Sequence, residues 1–70
     1  MIASIHIDQI SDDALAALGD ANLDDLVFGL DDKERVYCAN RDERAAWRWD
    51  RAACQWVDFD WELFTALFAS

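Results

Sequence analysis

Carboxylates, two thiols and a single imidazole are the groups in this 70-residue chain that could do chemistry. Asp20, Asn22, Asp24 and Asp31 fall at the first, third, fifth and twelfth places of an EF-hand loop, where oxygen ligands converge on calcium. Asp25, however, occupies the sixth place, where glycine makes the sharp turn. Asp31 replaces the bidentate glutamate and no long helix follows, so calcium is not expected. Cys38, Cys54 and His6 supply three of the four ligands zinc needs, at spacings that match no ribbon or finger. His6 has no serine or cysteine placed beside it by the sequence, so a nucleophile with its base cannot be assembled. General acid and base work requires one carboxyl to be desolvated, whereas Asp12-Asp13, Asp24-Asp25 and Asp31-Asp32 all fall in caps or turns that water reaches. The sequence therefore points to no catalytic residue, no metal site and no cofactor, and to a protein that is not an enzyme.

The charges are distributed unevenly. Fifteen acids against six bases give a net charge of −9. Residues 1–32 hold eight Asp and no Lys or Arg, a segment sum of −8, while residues 33–51 hold all six bases and sum to +2. Affinity for phosphate backbones comes from Lys and Arg displacing counterions, so direct nucleic-acid binding is not expected. No basic stretch followed by an apolar run opens the chain, and nothing approaches the roughly 20 apolar residues of a membrane span. Two cysteines are fewer than a small secreted domain normally carries, and reduced thiols in a soluble, cytoplasmic protein without a membrane partner are expected.

The elements that must position these groups form a single domain over 1–70. Residues Ile2 to Asp8 alternate as a half-buried strand, with Ile5 and Ile7 on one face. Ser11 is placed to cap a helix at 12–18, with Asp12 and Asp13 in its first turn, Ile10 and Leu15 as a hydrophobic staple, and Gly19 past its end. From Leu26 on, clusters of turn residues recur every nine or ten positions between runs rich in Val, Phe, Tyr and Trp, the rhythm of a β-meander. With two-residue loops at the first two turns and a three-residue loop at the third, Val27, Gly29, Val36, Cys38, Ala45, Trp47, Trp49, Val57 and Phe59 share one face. Phe28, Leu30, Arg35, Tyr37, Arg44, Arg48 and Trp56 share the other. The alternative is a mostly α chain with a helix at 41–56, capped by Asn40 and helped by its alanines; the lack of Gly in the turns favours it. The meander is preferred because Trp47-Arg48-Trp49 and Gln55-Trp56-Val57 form helices poorly and pair well across strands. Asp60 caps a C-terminal helix at 61–69, stapled by Phe59 and Phe64, with an apolar arc over about half its circumference. The fold class is thus α+β.

Two features can carry function. The carboxylates of Asp12, Asp13, Asp20, Asp24, Asp25, Asp31 and Asp32 form a one-sign field of the kind that steers a basic partner. The Arg and aromatic set, with Arg48 and Trp56 at its centre, has the residue types of interface hot spots, and gives a second reading as a small structural or regulatory interaction module. In size, acidity and aromatic load the chain resembles the small acidic inhibitors that bacteriophages and mobile elements encode, anti-CRISPR proteins and other DNA mimics among them. The resemblance implies a binder that sets those seven aspartates where the basic surface of a nucleic-acid-binding protein expects phosphates. The aromatic load of so short a chain also argues for a homodimer, unless the C-terminal helix folds inward.

Overall fold

A computed structural model of the chain describes residues 1–19 and 22–69. Local capping explains where its helices start. Ser11 Oγ accepts from the Ala14 amide at 3.3 Å and opens α1, Asp12–Ala16, while Gly19 beyond it takes a φ of 61°. Asp60 Oδ1 accepts from the Glu62 and Leu63 amides and opens α2, Trp61–Leu67. The strands are β1, Ile2–Ile5; β2, Leu26–Asp31; β3, Val36–Asn40; β4, Ala45–Asp50; β5, Gln55–Phe59; and β6, Phe68–Ala69. They form one sheet in the order β5-β4-β3-β2-β1-β6, antiparallel from β1 to β5. The short β6 lies parallel to β1. The segment 41–56 is therefore a hairpin and not a helix.

Three loops make the meander, and each is built on one plan. Asp31 Oδ1 accepts from the Lys33 and Arg35 amides, Asn40 Oδ1 from those of Asp42 and Glu43, and Asp50 Oδ1 from those of Ala52 and Ala53. Each loop then leaves through a residue in the left-handed region: Glu34 at φ 64°, Arg44 at 53° and Cys54 at 53°. The loops span residues 32–34, 41–44 and 51–54 and are longer than the sequence spacing suggested. This alters the faces. Val36, Cys38, Ala45, Trp47 and Trp49 stay together, but Phe28, Leu30 and Trp56 join them, and Val27, Gly29, Val57 and Phe59 move to the face of Tyr37 and Arg48.

Both faces are covered from within the chain. On one, Ile10 and Ala14 pack on Phe28, Cys38 and Trp49, with Leu15, Leu18, Trp47 and Trp56 around them. On the other, α2 lays Phe64, 2% exposed, on Tyr37, Ala39 and Ala46, and its ring stacks with those of Trp61 and Phe68. Gly29 lies under this layer because a Cβ there would collide with Ile2 Cγ2 and press on Phe68. Three expectations are corrected. The helix expected at 12–18 ends at Ala16, because the Leu18 and Gly19 amides bond back only three residues, to the Leu15 and Ala16 carbonyls, and turn the chain out of the helix. The first strand ends at Ile5, since Gln9 Oε1 accepts from the His6 amide and draws Ile7–Gln9 into a 3₁₀ turn that leaves Ile7 exposed. The last helix ends at Leu67, because Phe68 takes extended backbone to pair with β1. The buried arc is narrower than expected, and Leu63 and Leu67 face water at 47% and 38% exposure.

Candidate protein-binding surface

The strand register decides where the carboxylates go. Asp24 and Asp25 sit exposed in a 3₁₀ turn, Leu23–Asp25, which Asn22 Oδ1 caps by accepting from the Asp24 amide at 3.1 Å. Asp31 and Asp32 stand at the opposite end of β2, about 20 Å away at roughly 3.3 Å per residue. Pairing of Leu26 with Asn40, of Asn40 with Ala45 and of Ala46 with Phe59 brings Asp42, Glu43, Asp58 and Asp60 to the end that holds Asp24 and Asp25. The bases of the turn there are Arg41 and Arg44. At the other end Asp31, Asp32, Glu34 and Asp50 mix with Lys33, Arg35 and Arg51. Asp13 of α1 lines the same groove as Glu34 and Arg51, so α1 starts at this mixed end. Asp12, Asp13, Asp24, Asp25, Asp31 and Asp32 thus do not form one continuous stripe, and Asp20 lies outside the described residues. Among the described residues the one ion pair joins the terminal amine to Asp32 at 3.9 Å, both groups exposed.

Two of the expected site residues have structural work. Asp31 Oδ1 holds its loop while Oδ2 accepts from the Tyr37 hydroxyl at 2.9 Å. Burial works against its ionisation, but the hydrogen bonds from the Arg35 amide, the Tyr37 hydroxyl and the Lys33 amide, with the Arg35 charge, outweigh it and hold the carboxyl below its usual value. Burial, then the bond to Asp31, pushes the Tyr37 hydroxyl up. Trp56 donates its indole N–H to the Ala14 carbonyl at 3.0 Å and packs edge-on against Trp49, tying α1 to the sheet. Arg48, half-buried, pairs in register with Tyr37 on the opposite face from Trp56. The Arg and aromatic set is therefore split between the two faces of the sheet, and Arg44 lies in a turn.

Burial pushes the Cys38 thiol up to about 12, which keeps it neutral, and Cys54 is exposed. Among the described residues no group of three or more His, Cys, Asp or Glu is placed to hold a metal ion, and no helix is long and apolar enough to cross a membrane. Comparison with protein-family models, curated proteins and solved structures finds no match. The residue that composition overlooked is Glu43. Its charge is cancelled in any segment sum by Arg41 and Arg44, yet the chain's pairing sets it with Asp25 in the lining of one groove.

Proposed function

We propose that the chain is a non-enzymatic, stoichiometric inhibitor that acts in the cytoplasm by presenting carboxylates to the basic surface of a nucleic-acid-handling protein, such as a bacterial defence effector. The observation that carries this reading is the state of the acids. Asp12, Asp13, Asp24 and Asp25 are exposed, none is within 4.0 Å of a cation among the described residues, and residues 1–32 contribute no Lys or Arg. Their charge is free to act outward, where it raises the rate of encounter with a basic partner. The buried aromatic residues support the same reading by their engagement elsewhere, since two internal clusters absorb Phe28, Tyr37, Trp49 and Phe64.

The test is capture of a basic nucleic-acid-binding protein by the immobilised chain across a salt series. Exposed charges fade beyond a Debye length of about 8 Å at physiological ionic strength, so association should slow steeply as salt rises. The pair Asp12→Lys with Asp24→Lys should slow association about tenfold, far more than Glu62→Lys on α2. Duplex DNA should compete for the captured partner. Capture that is indifferent to salt, to DNA and to the paired substitution would sink the proposal.

A further inference from the structure

We propose that the groove between the C-terminal end of α1 and the β3–β4 turn receives one arginine side chain projecting from the basic partner. The inference rests on the partner being a basic protein and adds the site at which it is gripped. The groove measures about 440 Å³. Leu18, Leu26, Trp47 and Trp56 line it with apolar surface, and Asp25 and Glu43 line it too. The sequence assembles this from three places. Trp47 of β4 and Trp56 of β5 come from neighbouring strands and the same sheet face, Leu18 closes the end of α1, and the two carboxylates arrive on separate turns.

Both turns are held. Asn22 caps the one carrying Asp25, and Asn40 Oδ1 accepts from the Asp42 and Glu43 amides at 2.9 and 3.1 Å. The indole of Trp56 is fixed by its bond to Ala14. The walls are thus set before any ligand arrives, which lowers the ordering cost of binding. Tryptophan is the strongest aromatic partner for a cation, and a guanidinium can stack on an indole while its N–H groups reach a carboxylate.

A neighbouring groove supplies the contrast. It measures about 480 Å³ and is lined by Leu30, Val36 and Trp49 together with Asp13 and Glu34, the same chemistry at the other end of the sheet. There the chain provides its own cation: Arg51 lines the groove and donates from Nη2 to the Glu34 carbonyl at 3.3 Å. Among the described residues, no Lys or Arg lines the groove of Trp47 and Trp56, and α1 has no basic residue in its last turn. Two acids and two indoles line it while Arg41 and Arg44, of the turn that carries Glu43, stay outside the lining, which makes it a receptor for an external cation.

The full-length chain, labelled with ¹⁵N, is titrated with a capped glycine-serine peptide carrying one central arginine, and with its citrulline and lysine counterparts. The arginine peptide should move the indole N–H resonances of Trp47 and Trp56 and leave that of Trp61 in place, and citrulline should move none. Asp25→Asn with Glu43→Gln should weaken binding about five- to tenfold, and Asp32→Asn with Glu62→Gln, which removes the same charge at the far end of β2 and on α2, less than twofold. A dispersed spectrum verifies that each variant folds. Silence at Trp47 and Trp56, or equal shifts with citrulline, would overturn the site, and tighter binding of the lysine peptide would overturn its assignment to arginine. If Asp25→Asn with Glu43→Gln captures the basic partner unchanged, with the same salt dependence, the groove fails while the acidic-surface reading stands. Salt-independent capture removes that reading itself.

Discussion

Replacing Asp31 by alanine should unfold a large part of this domain's margin, although the residue lies at the surface end of a strand. One carboxylate there accepts from the Lys33 and Arg35 amides at 2.8 Å each and from the Tyr37 hydroxyl at 2.9 Å. A net contribution of about 0.5–1 kcal/mol per bond, plus roughly 1 kcal/mol for leaving the buried Tyr37 hydroxyl unpaired, gives about 3 kcal/mol. A 70-residue domain has about 4–10 kcal/mol in total. In urea, followed by tryptophan fluorescence at pH 7, the midpoint should fall by about 2 M for a slope near 1.5 kcal/mol per M. Asparagine can still accept from the two amides and should cost about 1 kcal/mol. The pH dependence is an independent check. The native state holds this carboxyl below its ordinary value, so the stabilisation is complete above about pH 4 and is lost as pH falls through the lower native value. The gap between the native chain and Asp31→Asn should therefore close on acidification below pH 4. A cost under about 1 kcal/mol for alanine at pH 7, or a gap that widens in acid, would refute the assignment of Asp31 as the clasp of the first hairpin.

Glu34→Gly, Arg44→Gly and Cys54→Gly should each raise stability by about 0.5–1 kcal/mol, because glycine accepts the positive φ without the strain that a Cβ brings. A triple variant that does not melt higher than the parent refutes this. An aromatic disulfide reagent should label Cys54 in the folded chain at once, and Cys38, whose thiol sits near 12, only at the rate of opening; equal labelling rates would contradict the burial described. Among the described residues Leu63 and Leu67 are the exposed large apolar side chains of α2, so a homodimer across its outer side has little to bury and must bring two −9 chains together. Sedimentation at micromolar concentration should accordingly give the 8.0 kDa monomer at low salt, and a low-salt dimer would be the contrary result.

What could be read from the residues was whatever is settled within a few positions. Ser11 and Asp60 start helices because a side-chain oxygen and an amide two or three residues on need nothing else, and the alternation of large side chains from Leu26 to Phe59 favours strands over the competing helix at 41–56. The register was not legible. It depends on loop length, and loops that end on Glu34, Arg44 and Cys54 carry no glycine to mark the left-handed residue. A slip of one residue in two strands moved Trp56 from the side of Tyr37 and Arg48 to the side of Trp49 and α1. The same long-range pairing explains the candidate groove. Asp25 and Glu43 belong to segments of opposite net charge, and only the pairing of Leu26 with Asn40 makes them neighbours.

The pairing of β1 with β6 has a kinetic consequence. Each hairpin from β2 to β5 closes over a few residues and can nucleate alone, at small loop-closure entropy. Ile2, at 1% exposure, is completed only when Phe68 arrives beside it from the far end of the sequence, over the bare backbone of Gly29. Hairpin assembly should therefore run ahead of a slower docking step that joins the two ends. Deleting either end should strip the same side of the core, so that amide exchange in β1 and in α2 rises together.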